Sequence, residues 1–153
     1  MNQNRRTMLR NTSVLGLALS AGLLKTGDVF AAEWNNSVFD AKGLDAALKA
    51  LGAENPTASS DVTLVASDIA ENGAVVPVSV SSKLPNTEFI AILVDQNPFA
   101  VAASFAIPAG TEPAVSTRIK MGGTSTVRAL VKADGKWLFA SKEIKVTLGG
   151  CGG

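Results

Sequence analysis

A chain of 153 residues with 46% apolar and 18% charged side chains can bury one substantial core, is short for two domains, and is too apolar to be disordered. Histidine and tyrosine are both absent, so no Ser-His-Asp triad, Cys-His dyad, histidine-bound zinc or histidine-ligated copper centre can be assembled from this chain alone, and a single cysteine, Cys151, rules out an intramolecular disulfide. The formal net charge of +1 reverses if residues 1–31 are removed: four basic side chains and one acidic one leave, ten basic and twelve acidic remain, and the resulting −2 argues against binding nucleic acid or an anionic membrane.

Residues 1–31 read as an export signal, with Arg5, Arg6 and Arg10 at the start, an eleven-residue apolar run from Val14 to Leu24, and small residues around Ala31 where a peptidase would cut. A membrane span needs about 20 apolar residues, so an uncleaved anchor is the weaker alternative. Asn4-Arg5-Arg6-Thr7-Met8-Leu9-Arg10 resembles a twin-arginine sequence, although Asn4 stands where Ser or Thr is usual and Met8 where Phe is usual; a general secretion signal is the other possibility. Twin-arginine export carries folded cargo, often folded around a cofactor or a partner. No G-x-G-x-x-G, P-loop or C-x-x-C occurs here, which favours a partner subunit. The destination is the periplasm, where an unemployed free thiol is a hazard.

The segment 32–60 holds one short amphipathic helix. Leu44, Ala47, Leu48 and Leu51 recur at helical spacing, with Asp40, Lys42, Asp45 and Lys49 on other faces and Gly52 as the stop. Its apolar side can pack on the protein's own sheet or dock on a partner. From Asp61 the period changes to two. Seven strands are expected at 62–66, 75–81, 89–95, 99–106, 114–121, 124–132 and 137–147, and Asp134-Gly135 marks a tight hairpin. Alternation such as Val76, Val78 and Val80 against Ser79 and Ser81 fits half-buried antiparallel strands. Seven short strands over residues 61–148 predict an immunoglobulin-like antiparallel β-sandwich, without the Cys-Trp-Cys core of antibody domains. Trp137 and Phe139 are expected in the core or at an interface.

After Leu148 the chain ends Gly149-Gly150-Cys151-Gly152-Gly153, five residues whose only side chain is a thiol. Glycine brackets give high backbone entropy and a thin profile, so a flexible arm is expected, reaching roughly 17 Å when extended at ~3.5 Å per residue. A frayed tail that happens to carry a cysteine is the plainer alternative. Prenylation fails because the cysteine is third from the end rather than fourth. One thiolate makes no metal site, and no base accompanies it for nucleophilic catalysis, which leaves covalent attachment in turn to other molecules.

The run Lys142 to Leu148 followed by Gly-Gly-Cys-Gly-Gly, the segment Val115 to Gly122, the segment Val131 to Lys136 and the run Ile90 to Val94 together resemble the SoxY family, the sulfur-carrier subunits of bacterial thiosulfate oxidation. Ala47 to Gly52 and the twin-arginine start are also similar to that family; Phe99-Ala100 after Asn97-Pro98 stands apart from it. The resemblance implies an immunoglobulin-like sandwich paired with SoxZ, a β-sandwich subunit exported with it. It implies that Cys151 takes up thiosulfate through the haem protein SoxAX, that the dimanganese hydrolase SoxB releases sulfate, and that SoxCD, where present, oxidises the remaining sulfur. On that reading the chain is a carrier rather than an enzyme, holds no cofactor beyond sulfur bound to Cys151, and uses Gly149, Gly150, Gly152 and Gly153 as the arm. Two other classes compete: an exported assembly or adhesion subunit with an intermolecular disulfide, and a peroxide- or disulfide-reducing enzyme, which would lack a resolving cysteine.

Overall fold

The computed structural model describes residues 36–148. The expected export signal of residues 1–31 and the expected arm Gly149–Gly153, with Cys151, lie outside the described residues. In chain order the elements are α1 (Asn36–Phe39), α2 (Leu44–Leu51), β1 (Thr57–Ala58), β2 (Val62–Ala66), β3 (Ile69–Ala70), β4 (Val76–Ser82), β5 (Thr87–Val94), β6 (Val101–Ala106), β7 (Ala114–Ile119), β8 (Ser125–Ala133) and β9 (Lys136–Val146). They form two sheets. The large one runs β1-β9-β8-β5-β6 with β3 also on β9, and the small one runs β2-β4-β7.

Period-two patterning decides which side chains meet between the sheets. Val76, Val78 and Val80 of β4 face inward, as do Ile90, Ile92 and Val94 of β5, Val127, Ala129 and Val131 of β8, and Ile144 of β9, and these residues make one buried cluster. The opposite face of the large sheet is also covered. Ala91 and Leu93 of β5 and Leu130 of β8 pack with Val38, Ala47 and Ala53, under Leu44, Leu48 and Leu51. The apolar side of α2 therefore belongs to the protein's own sheet.

Local chemistry sets the punctuation. α2 ends at Gly52, whose φ of 70° suits a residue without a Cβ and lets its N–H donate to the Lys49 carbonyl at 3.0 Å. The β8–β9 hairpin closes through Asp134 and Gly135, with φ of 48° and 71°, and Ala133 sits opposite Lys136. Both central residues left-handed is the hairpin geometry that an Asp-Gly pair favours. At the other end of the sheets, the Asn97 side chain donates to the Lys120 carbonyl at 2.8 Å and accepts from the Gly122 N–H at 3.0 Å, fixing the β7–β8 connection.

The seven expected strands are all present, with ends displaced by one or two residues. Strand β6 starts at Val101 because Phe99 bridges back to Lys42 and the β5–β6 register shifts between Ile92 and Leu93. Two features depart from the sequence reading. The 32–60 segment is more than a helix and loop, since Thr57 and Ala58 pair with Leu138 and Phe139, and the sandwich is not wholly antiparallel, since β1 and β3 both run parallel to β9. Trp137 and Phe139 are half-buried beside the helix; Phe89 meets Trp137 edge-on at 5.9 Å, and Arg128, held by Asp95 at 2.9 Å, lies 5.6 Å from the centre of the Phe139 ring.

Ile92 is fully buried at the centre of this arrangement. Ile92→Ala is expected to lose about 3–4 kcal/mol by removing buried methyl groups and leaving a cavity, read as a lower urea midpoint with an unchanged slope.

Candidate functional site: the root of the C-terminal arm

Strand β9 delivers the chain to the arm. Leu138, Ala140, Ile144 and Val146 turn toward the core at alternate positions, which keeps eleven residues extended from the hairpin to the far end of the sandwich, a rise of about 34 Å. The last described residues are then laced to the segment that follows β2. The Lys145 N–H donates to the Asp68 carbonyl at 2.9 Å, the Thr147 N–H to the Ala70 carbonyl at 3.1 Å, the Thr147 hydroxyl to the Glu71 carbonyl at 3.2 Å, and the Gly73 N–H to the Leu148 carbonyl at 2.9 Å. From the other side, the Val146 N–H donates to the Thr124 hydroxyl at 3.0 Å.

That lacing segment is itself held at both ends. Lys142 donates to the Ala66 carbonyl and pairs with Asp68 at 2.8 Å, while Asn72 closes a turn by accepting the Ala74 N–H at 2.8 Å and the Gly73 carbonyl accepts the Met121 N–H at 2.7 Å. The hydrogen bond and charge of Lys142 lower the pKa of the Asp68 carboxyl. Nothing local in the sequence announces that β3 and this turn grip the end of β9.

The expected site residues Cys151, Gly149, Gly150, Gly152 and Gly153 lie outside the described residues, so the structure bears on them through their point of attachment. Cys151 follows Leu148 by three residue steps, with Gly149 and Gly150 between them, and covalent geometry bounds that span at about 10 Å. A groove of about 570 Å³ lined by Glu54, Asn55, Trp137 and Leu138 adjoins the β8–β9 hairpin, at the opposite end of β9 from Leu148 and therefore roughly 30 Å from the root. Among the described residues no three His, Cys, Asp or Glu side chains are grouped to hold a metal ion, and no helix is long and apolar enough to cross a membrane.

The Lys142–Asp68 pair links the ionisation of Asp68 to the root, weakly because the carboxyl is exposed to solvent. A carboxyl whose folded-state pKa is lowered contributes stability above its unfolded pKa and loses it as pH falls through the folded value. Asp68 is therefore expected to stay ionised to lower pH than a free aspartate, in carbon-detected NMR titration, and Lys142→Met to return it to the ordinary range. The protection of the Thr147 amide, taken relative to its intrinsic exchange rate at each pH, should fall as Asp68 takes up its proton.

The family model described as sulfur oxidation protein SoxY matches residues 47–151. Among solved structures, the sulfur carrier protein SoxY from Chlorobium limicola f thiosulfatophilum is 37% identical, with a TM-score of 0.63 over 71% of this chain and 95% of that one. The human F-spondin reeler domain, at 13% identity and a TM-score of 0.39 over 60% of this chain and 95% of that one, is too distant to carry an argument. No curated protein matches. With a family match across more than two thirds of its length and a 37% identical sandwich beside it, the chain belongs to the SoxY family of sulfur oxidation proteins.

Proposed function

We propose that this protein is a covalent sulfur carrier of thiosulfate oxidation, with the Cys151 thiol as the attachment point and Gly149, Gly150, Gly152 and Gly153 as the arm that presents it. The supporting observation is that the family match runs through residue 151, so the cysteine itself falls within the SoxY pattern, three residues beyond the laced end of β9. A firmly held root with a short glycine tether suits a group that must be handed from one active site to the next.

The chemistry divides between carrier and partners. In the first step the thiol loses its proton, its sulfur bonds to the sulfane sulfur of thiosulfate, and two electrons pass to the haem protein SoxAX, leaving Cys-S-S-sulfonate. Water then attacks the sulfonate sulfur on SoxB; sulfate and a proton depart, and the persulfide stays on Cys151. SoxCD, where present, oxidises the outer sulfur further. A thiol with an ordinary pKa near 8.5 is only a few per cent ionised at pH 7, so the receiving enzyme supplies the activation. Ordering the arm in an active site costs on the order of 5–10 kcal/mol, which keeps complexes weak and release fast. The chain works in the periplasm, delivered by the twin-arginine signal and paired with SoxZ, and carries no cofactor of its own.

Cys151→Ser is expected to fold normally and to abolish sulfur transfer in a reconstituted system without another carrier. Intact-protein mass spectrometry of native material should find Cys151 bearing added sulfur or a thiosulfate remnant. A fixed disulfide dimer in its place would assign the chain to an assembly role, and sulfenate chemistry to an enzyme.

Reach and clearance of the arm separate in two variants. Deleting Gly149 and Gly150 draws the thiol back by about 7 Å, and replacing Gly150 and Gly152 with valine keeps the length but adds branched bulk on either side of it. Both should react normally with iodoacetamide and poorly with the partner enzymes. Normal charging and hydrolysis of the valine variant would remove the case for a narrow entrance.

A further inference from the structure

Five large apolar side chains among the described residues are more than 45% exposed: Val65, Ile69, Val75, Phe99 and Leu148. Single exposed hydrophobics are ordinary on any protein surface and need no explanation. Three of these five share one place. Ile69 lies opposite Lys145 in the β3–β9 pairing, Leu148 is the residue whose carbonyl accepts the Gly73 N–H, and Val75 follows two residues later, in a turn closed by its own N–H to the Asn72 carbonyl at 3.4 Å. Ile69 belongs to β3, which pairs with β9 of the large sheet, Val75 leads into β4 of the small sheet, and Leu148 ends the described chain two residues after β9.

We propose that Ile69, Val75 and Leu148 form an apolar collar on which the receiving enzymes seat themselves, a proposal that rests on the carrier reading above. The length of the tether requires contact here. Cys151 can stand no more than about 10 Å from Leu148, so a reactive centre set inside an enzyme is within reach only when the rim of its entrance lies against the residues around Leu148. The charges beside the collar carry no consistent sign: Lys142 is paired with Asp68, and Glu71 and Lys145 are opposite and exposed. Electrostatic steering is therefore a poor source of affinity at this spot, and apolar contact is the better one. The occupant is thus an enzyme surface with an apolar ring around a narrow entrance.

The size of the collar also fits. Three side chains are far fewer than the 20–30 residues a side of a stable interface, so contact is brief. The backbone beneath them is fixed by the lacing to Asp68, Ala70, Glu71 and Gly73, so little ordering cost falls on the collar itself and its burial can offset the cost of ordering the arm.

The test uses the full chain with Cys151 intact, in the complex in which it is isolated. Ile69→Ser/Val75→Ser/Leu148→Ser is compared with the parent, with Leu148→Ser alone, and with Val65→Ser/Phe99→Ser as a control elsewhere on the surface. Charging is followed by intact mass with thiosulfate, the conjugating enzyme and an electron acceptor. The triple variant should keep its melting temperature and its iodoacetamide rate at Cys151, and should show a KM for the carrier raised about tenfold with kcat within about twofold; Leu148→Ser should shift KM in the same direction and the control should not. An unchanged KM in the triple variant, or an equal loss in the control, overturns the collar. So does a change in the mass of the complex by light scattering, which would make these residues a permanent subunit contact. A parent chain that takes up no mass at Cys151 overturns the carrier reading instead.

Discussion

Strand β5 is buried on both faces, and the rest of the structure is arranged around that constraint. Ile90, Ile92 and Val94 fill the space between the sheets while Ala91 and Leu93 fill the space under α2, so the five consecutive residues are essentially inaccessible to water. A strand in that position cannot slip by one residue without exchanging two differently shaped sets of neighbours, which pins its register to β8 on one side and β6 on the other. The fixed β8 in turn fixes β9 through nine consecutive pairs, and β9 sets where the chain leaves the sandwich. The apolar side of α2 is consumed in covering this strand and is not free for docking. The polar groups do not undermine the packing: among the described residues no buried side-chain nitrogen or oxygen lacks a hydrogen-bond partner.

Rigidity of that kind suits a protein whose chemistry takes place elsewhere. A carrier needs no cleft, and the groove of about 570 Å³ adjoins the hairpin end, away from the root. What the sandwich supplies is a defined origin for the segment that follows, set by backbone hydrogen bonds at Thr147 and Leu148 and by the Val146 N–H on the Thr124 hydroxyl. A fixed exit point for the last strand fits the sulfur-carrier role of the family.

Much of this was legible in the sequence because it is periodic. Val76, Val78 and Val80 announce β4, Asp134-Gly135 announces the last hairpin, and the Leu44–Leu51 spacing with Gly52 announces the helix and its stop. The run Ile90 to Val94 was legible as a strand, and its lack of alternation is the trace of burial on both sides. The two-residue strands β1 and β3 were not legible, since a dipeptide has no period and both are made by pairing with residues more than seventy positions away. The same reason hid the root. Cys151 could be singled out from composition, whereas the bond from Gly73 to Leu148 depends on a fold that brings a turn from early in the domain to the end of its last strand.

The β8–β9 pairing has a mechanical consequence. Antiparallel bonds lie perpendicular to their strands, so tension applied through Leu148 along β9 is borne as shear by all nine pairs together, with the hairpin at the far end, and the bonds cannot be opened one after another as in a zipper. A pull applied at Leu148 therefore loads the strongest direction of the sheet and is resisted by the whole of β9 at once.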